Sequence, residues 1–156
     1  MIKILNREDD VDVAALCIMM SAHAGQKTRD GGPYQLHPIA VAEFIDPLMI
    51  HKKLRAVAYL HDVIEDTDWT SVDLLMAGIS VEIVAAVVAL TKVKGESYDA
   101  YIKRVMSNYF ATLVKIADMT HNMDITRLPM IRVKDAARNR KYRKYRKILR
   151  AHARNM

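Results

Sequence analysis

At 156 residues, about half of them apolar and only five glycine and four proline, the chain is long enough for one folded helix-rich domain and too short for two ordinary catalytic ones. Its longest apolar runs, Val13 to Met20 and Ile83 to Leu90, fall well short of the roughly 20 residues of a membrane span, and a lone Cys17 builds neither a disulfide nor a thiolate metal site. The formal charge of +6 divides unevenly, because residues 127–156 carry twelve Lys or Arg against one acid, Asp135, and leave the remainder at −5.

The stretch MIKILNREDD has no apolar signal core or small-residue cleavage pattern, so a cytoplasmic chain is expected. From Asp10 to Met20 apolar residues recur at helical spacing, which predicts a first helix with Cys17 in the core. A polar loop with the turn Gly31-Gly32-Pro33 follows and ends at His37-Pro38, which puts His37 at the N-cap of a second helix. Asp46-Pro47 ends or bends that helix, and a third is expected from about His51 to Ile64 with His61 and Asp62 in its last turn. Thr70 to Asp73 reads as a capping-box variant opening a short helix that stops at Gly78. Ser80 then caps VEIVAAVVALTK, apolar on nearly all sides and expected to be the buried central helix. Further helices are predicted from Tyr98 to about Met106, from about Tyr109 to Ile125, and from Val133 to about Ala153, with no strand pattern anywhere. The expected fold is all α, a single domain over 1–156 whose basic C-terminal helix, within 131–156, packs on the rest.

The chemistry concentrates in AVAYLHDVIEDT. His61-Asp62 is followed one turn later by Glu65-Asp66, and residues four apart on a helix share a face. Packing so many acids around one imidazole in an apolar helix without a cation would cost repulsion and desolvation. With His37 upstream and Asp118 downstream, His61 and Asp62 give two imidazoles and two carboxylates. Lacking thiolate, this set suits a borderline to hard cation such as Mn²⁺ better than a structural zinc. A cation of this kind serves phosphoester hydrolysis, with Glu65 and Asp66 in excess of the ligand count and available to hold and deprotonate a water. Asn122 and Lys115 flank Asp118 at spacings of four and three. His23, His51, His121 and His152 read as ordinary core or surface histidines.

The strings Ala22-His23-Ala24-Gly25-Gln26, Gly31 to Pro38, Leu60 to Thr67 and Val114 to Asp118 with His121-Asn122-Met123 resemble the hydrolase domain of the RelA/SpoT proteins, within the HD superfamily of metal-dependent phosphohydrolases. The resemblance runs over most of residues 10–127 in the family's order and implies a compact HD-domain fold like that of the stand-alone small alarmone hydrolases. It implies that His37, His61, Asp62 and Asp118 hold the metal, usually Mn²⁺, and that Glu65 with Asp66 positions the attacking water. The implied reaction removes the 3′ pyrophosphate of (p)ppGpp to leave GDP or GTP, with Lys27, Thr28, Arg29, Tyr34, Lys115 and Asn122 on the substrate side. The family's arginine, which packs on guanine, is replaced by Thr28, and Arg29 stands where its phosphate-side lysine falls. Met119-Thr120 also departs from the usual basic-apolar pair. A threonine does not stack on a base as a guanidinium does, so another nucleotide such as NADPH is the alternative substrate. A third reading makes RNRKYRKYRKILRAHAR a nucleic-acid grip. Against it, Tyr142, Tyr145, Ile148 and Leu149 recur at helical spacing, as an apolar stripe docking the helix on the core would.

Overall fold

The computed structural model describes residues 10–156, so most of MIKILNREDD lies outside the described residues. In chain order the helices are α1 (Val11–Ala22), α2 (Leu36–Ile45), α3 (Lys52–Leu60), α4 (Val63–Asp66), α5 (Ser71–Met76), α6 (Val81–Leu90), α7 (Tyr98–Met106), α8 (Tyr109–Asn122) and α9 (Val133–Ala153). An isolated bridge between Lys27 and Pro33 is the only extended pairing among the described residues, so the fold is all α as expected.

The helix at the centre is α3 rather than α6. Every side chain from Leu54 to Leu60 is buried, because α3 lies against α1, α2, α6 and α8. The apolar surface of α6 is more than its neighbours cover, and Val81 and Val88 stay exposed while Ile83, Val84, Ala86, Val87 and Leu90 are buried. Cys17 is likewise exposed, on a face of α1 with Val13 and Met20 that none of the described helices covers. The Thr70 and Asp73 side chains form the capping box the sequence predicts, and Gly78 closes α5 with φ +89°, a conformation that side chains resist.

The central helix itself carries a buried charge. Arg55 of α3 is 4% exposed and its guanidinium bonds to Asp46 at 2.7 Å and to Asp12 of α1. Asp46 also accepts from the Ile50 and His51 N–H groups, at 3.0 and 2.7 Å. Burial opposes the ionised form of Asp46, but those donors and Arg55 outweigh it and hold its pKa below the ordinary carboxylate value. The triad thereby fixes the α2–α3 connection and, with it, the axis of the helix that ends at His61.

Three boundaries differ from the sequence reading. Helix α2 begins at Leu36, so His37 lies inside its first turn and Gln35 is the N-cap. Pro38 is tolerated there because the first four N–H groups of a helix have no partner within it. Helix α3 stops at Leu60 instead of running on to Ile64. The His61 ring bonds through Nδ1 to the Ala58 carbonyl at 2.6 Å, the acceptor that a continuing helix would offer to the Asp62 N–H. Helix α8 ends at Asn122, and a 3-10 turn, Ile125–Arg127, follows where the Asp124 carboxylate accepts from the Thr126 N–H at 3.0 Å.

Helix α9 packs on α8 and α7 through Tyr145 and Leu149, both buried, with Tyr142 partly buried beside them. Ile148 of the predicted stripe is instead 40% exposed.

Candidate active site

The break after α3 is what builds the site. His61 occupies the C-cap of α3 and Asp62 the N-cap of α4, so the two side chains leave the helical register and face α2 and α8. His37 enters from the first turn of α2 and Asp118 from the third turn of α8. His37 Nε2 lies 3.0 Å from Asp118 Oδ1 and 3.3 Å from His61 Nε2, which itself lies 3.0 Å from Asp62 Oδ2. The cross distances, His37 to Asp62 and His61 to Asp118, are 3.8 and 3.7 Å. His37, His61 and Asp118, all buried, offer ligand atoms within 4.8 Å of one another, and Asp62, which groups instead with Glu65 and Asp66, reaches this centre through its contacts with the two imidazoles.

A carbonyl only accepts, so the proton of a neutral His61 sits on Nδ1 and its Nε2 lone pair faces the shared point. Burial opposes charge on this ring, yet Asp62 and Asp118 outweigh it and raise its pKa well above the ordinary histidine value. The carboxylates therefore demand positive charge at the centre, and a divalent cation supplies it without protonating the imidazoles. The two imidazoles lie 3.0–3.8 Å from the Asp62 and Asp118 carboxylates, and imidazole and carboxylate donors without thiolate suit a small divalent metal ion.

Three side chains orient the donors. Lys115 Nζ bonds to Asp118 Oδ2 at 2.8 Å and Asn122 Nδ2 to Asp118 Oδ1 at 2.6 Å, and the Tyr34 hydroxyl donates to Asp62. Burial and the Asp118 charge act on Lys115 in opposite senses and the charge prevails, raising its pKa well above the lysine value. The sequence reading placed Lys115 with the substrate residues, whereas its ammonium is engaged by Asp118. His121, read as an ordinary histidine, has its Nδ1 2.7 Å from His37 Nδ1. Burial, His37 and Arg127 push its pKa down to about 4, so it is neutral and able to accept the His37 proton. His23 is fully buried in the supporting layer, with Nδ1 2.8 Å from Gln26 Oε1 and its ring against Tyr34.

Asp62, Glu65 and Asp66 form a second group whose ligand atoms lie within 4.8 Å of one another. Glu65 Oε1 accepts from the Lys92 N–H at 2.8 Å, tying α4 to the end of α6. Burial first, then the charges of Asp62 and Glu65, raise the Asp66 pKa, which suits a carboxyl that takes up and returns a proton.

A cleft of about 260 Å³ opens onto His37 and Asn122 and contains Lys27, Thr28, Arg29 and Tyr34. Sequence reasoning missed its opposite wall, Asp124, Arg127, Leu128 and Arg138. Arg127 and Arg138 donate to the His121 and Asn122 carbonyls, at 2.8 and 3.0 Å, so the open end of α8 mounts both guanidiniums. Arg138 belongs to the basic run, which was legible as charge but not as part of a site. Arg29 is not free to follow a phosphate, since both its terminal nitrogens bond to Asp135, a buried residue in the first turn of α9. The Thr28 hydroxyl is turned inward to Asp30 and to the Gly32 carbonyl at 3.1 Å.

The family pattern of the HD domain matches residues 15–156. The chain belongs to the HD-domain family. It is 40% identical over 116 residues to a guanosine-3′,5′-bis(diphosphate) 3′-pyrophosphohydrolase of Haemophilus influenzae, covering 68% of this chain and 17% of that protein. It is 36% identical over 119 residues to the bifunctional (p)ppGpp synthase/hydrolase SpoT of Escherichia coli, covering 70% and 17%. The chain therefore spans about a sixth of the length of these curated relatives. A solved structure described as a metazoan ortholog of SpoT that hydrolyzes ppGpp superposes with a TM-score of 0.70 at 21% identity, over 96% of this chain and 89% of that one, which places the fold. An HD-domain hydrolase fold implies a divalent metal, and the His37, His61 and Asp118 cluster is a group of side chains able to hold one.

Proposed function

We propose that the chain is a Mn²⁺-dependent hydrolase that removes the 3′ pyrophosphate of (p)ppGpp, and the observation that carries this is the approach of His37, His61, Asp62 and Asp118 to one another beside a cationic cleft that His37 lines. When bound, the ion polarises a phosphoryl oxygen and makes hydroxide accessible near neutral pH. His121 accepts the His37 Nδ1 proton and Ala58 the His61 Nδ1 proton, which leaves both Nε2 atoms as ligands. Glu65 and Asp66 orient the attacking water, and Asp66 takes its proton. As the water oxygen bonds to phosphorus, the bond to the ribose O3′ breaks. Asp66, whose raised pKa allows it to hold a proton, passes that proton to the departing O3′. Lys27, Arg127 and Arg138 line the cleft where the nucleotide's other phosphates would lie. A nucleotide substrate and a chain with a single cysteine support a cytoplasmic location.

Purified protein with ppGpp and Mn²⁺ is expected to release pyrophosphate; intact metal binding without release defeats the substrate assignment. NADPH belongs in the same assay, because the inward-turned Thr28 offers nothing for a guanine to stack on. Asp66→Asn is expected to lower kcat by about 100-fold, within the range for loss of a general acid–base, while leaving Mn²⁺ affinity nearly unchanged in a calorimetric titration. A nucleic-acid role finds no support in α9, since the Tyr145 hydroxyl donates to Asp99 at 2.6 Å and its ring packs on Tyr98.

A further inference from the structure

The cleft accounts for only one cation of α9, Arg138. One turn further along α9, the Lys141 ammonium stands 3.4 Å from the centre of the Tyr98 ring. Tyr98 packs on Tyr101 with centroids 5.6 Å apart, and Lys92 and Lys115 approach the Tyr101 ring at 5.9 and 5.4 Å. Three ammonium groups, from the end of α6, from α8 and from α9, thus gather around one aromatic pair. None of the three lines the cleft that holds Lys27, Arg127 and Arg138. Two of them border the acids of the site, since Lys115 pairs with Asp118 and Lys92 Nζ is 3.9 Å from Glu65 Oε2.

Among the described residues, Lys115 and Lys92 each have a carboxylate, but Lys141 has a ring beneath it and no acid within 4.0 Å. Burial, then the like charges of Lys92 and Lys115, pulls its pKa below the ordinary lysine value. Cations held together against their own repulsion, beside two acids already assigned to the reaction, are stabilised by a further anion. Several point-like ammonium donors arriving from different helices suit a phosphate group, whose oxygens face in several directions.

We propose that Lys141, with Lys92, forms a second phosphate position beside Glu65 that grips the distal phosphate of the departing pyrophosphoryl group. This rests on the reading of the substrate given above, and the test separates the two. Inorganic pyrophosphate and orthophosphate are titrated calorimetrically into the protein with Mn²⁺ held in fixed excess over both. In Lys141→Met, which keeps an apolar stem over Tyr98, the pyrophosphate Kd is expected to rise about tenfold, the loss of one charge-assisted contact, while that for orthophosphate stays within about twofold. Lys141→Arg restores tight pyrophosphate binding, and Lys141→Gln replaces the Met variant if that one does not fold. With ppGpp, Lys141→Met raises KM far more than it lowers kcat. Equal weakening of both anions, weakening of neither, or no pyrophosphate binding to the unaltered protein overturns the proposal. Lys141-dependent pyrophosphate binding without ppGpp turnover sinks the substrate reading and leaves this position standing; turnover with binding indifferent to Lys141 does the reverse.

Discussion

Asp118→Asn is expected to abolish turnover, lowering kcat by more than the roughly 10²–10⁴ that a general acid–base contributes, because it removes the ion's contribution as well. Asparagine keeps the shape of the side chain and its reach toward His37, so a lost Mn²⁺ calorimetric signal reports the missing charge. The substitution also strands Lys115, whose buried ammonium has Asp118 as its carboxylate at 2.8 Å. Breaking one side of a buried pair is destabilising, so a weakened fold is a competing cause of inactivity. The double variant Lys115→Met with Asp118→Asn removes both charges and is expected to recover much of the lost melting temperature. It is expected to recover neither metal binding nor activity. Recovery of activity along with stability would show Asp118 to be a structural acid and would remove it from the metal set. Asn122→Ala, which loses only the 2.6 Å bond that orients Asp118, is expected to cost about 10–100-fold in metal affinity.

The residues that bring chemistry were legible in the sequence because they violate the pattern around them. An imidazole and three carboxylates in the six positions from His61 to Asp66, at the end of an apolar run that begins at Ala56, have no ordinary core explanation. Helix positions were legible from apolar period and caps, as at Thr70–Asp73 and at Ser97, whose hydroxyl accepts from the Ala100 N–H at 3.1 Å. The end of α3 was not, since it depends on a side chain competing for its own backbone carbonyl, and nothing in periodicity reports where the His61 ring points. His121 was illegible for a different reason. Its part comes from meeting His37, 84 residues away, and a lone histidine near a helix end carries no such signal. The same holds for Arg29 and Asp135, 106 residues apart. The aggregate charge of α9 does not report where each cation goes, and the helix divides them among the cleft, the Tyr98 ring and solvent. Cys17 shows the converse error, in which an apolar neighbourhood in sequence was taken for a core position although α1 turns that face outward.

Arg55→Met tests the framework that holds the site in register and is expected to be among the most destabilising single substitutions in the chain, at about 3–5 kcal/mol. Methionine matches much of the arginine stem and removes the charge, so little of the loss comes from a cavity. It comes from Asp12 and Asp46, left buried without their cation while Asp46 keeps the Ile50 and His51 N–H groups. Thermal or denaturant unfolding at pH 7 measures the effect, and its pH dependence identifies the cause. The folded-state pKa of Asp46 lies below its unfolded value of about 3.9, so the stability it contributes is fully present above that value and fades as pH falls through the depressed folded one. In Arg55→Met that depression shrinks, so the gap between the two proteins is expected to be constant near neutrality and to narrow below about pH 4. A gap that persists unchanged in acid would mean that Arg55 acts by packing alone. Because α3 delivers His61 at its C-cap, residual folded Arg55→Met protein is also expected to bind Mn²⁺ more weakly, although the substituted side chain is not a metal donor.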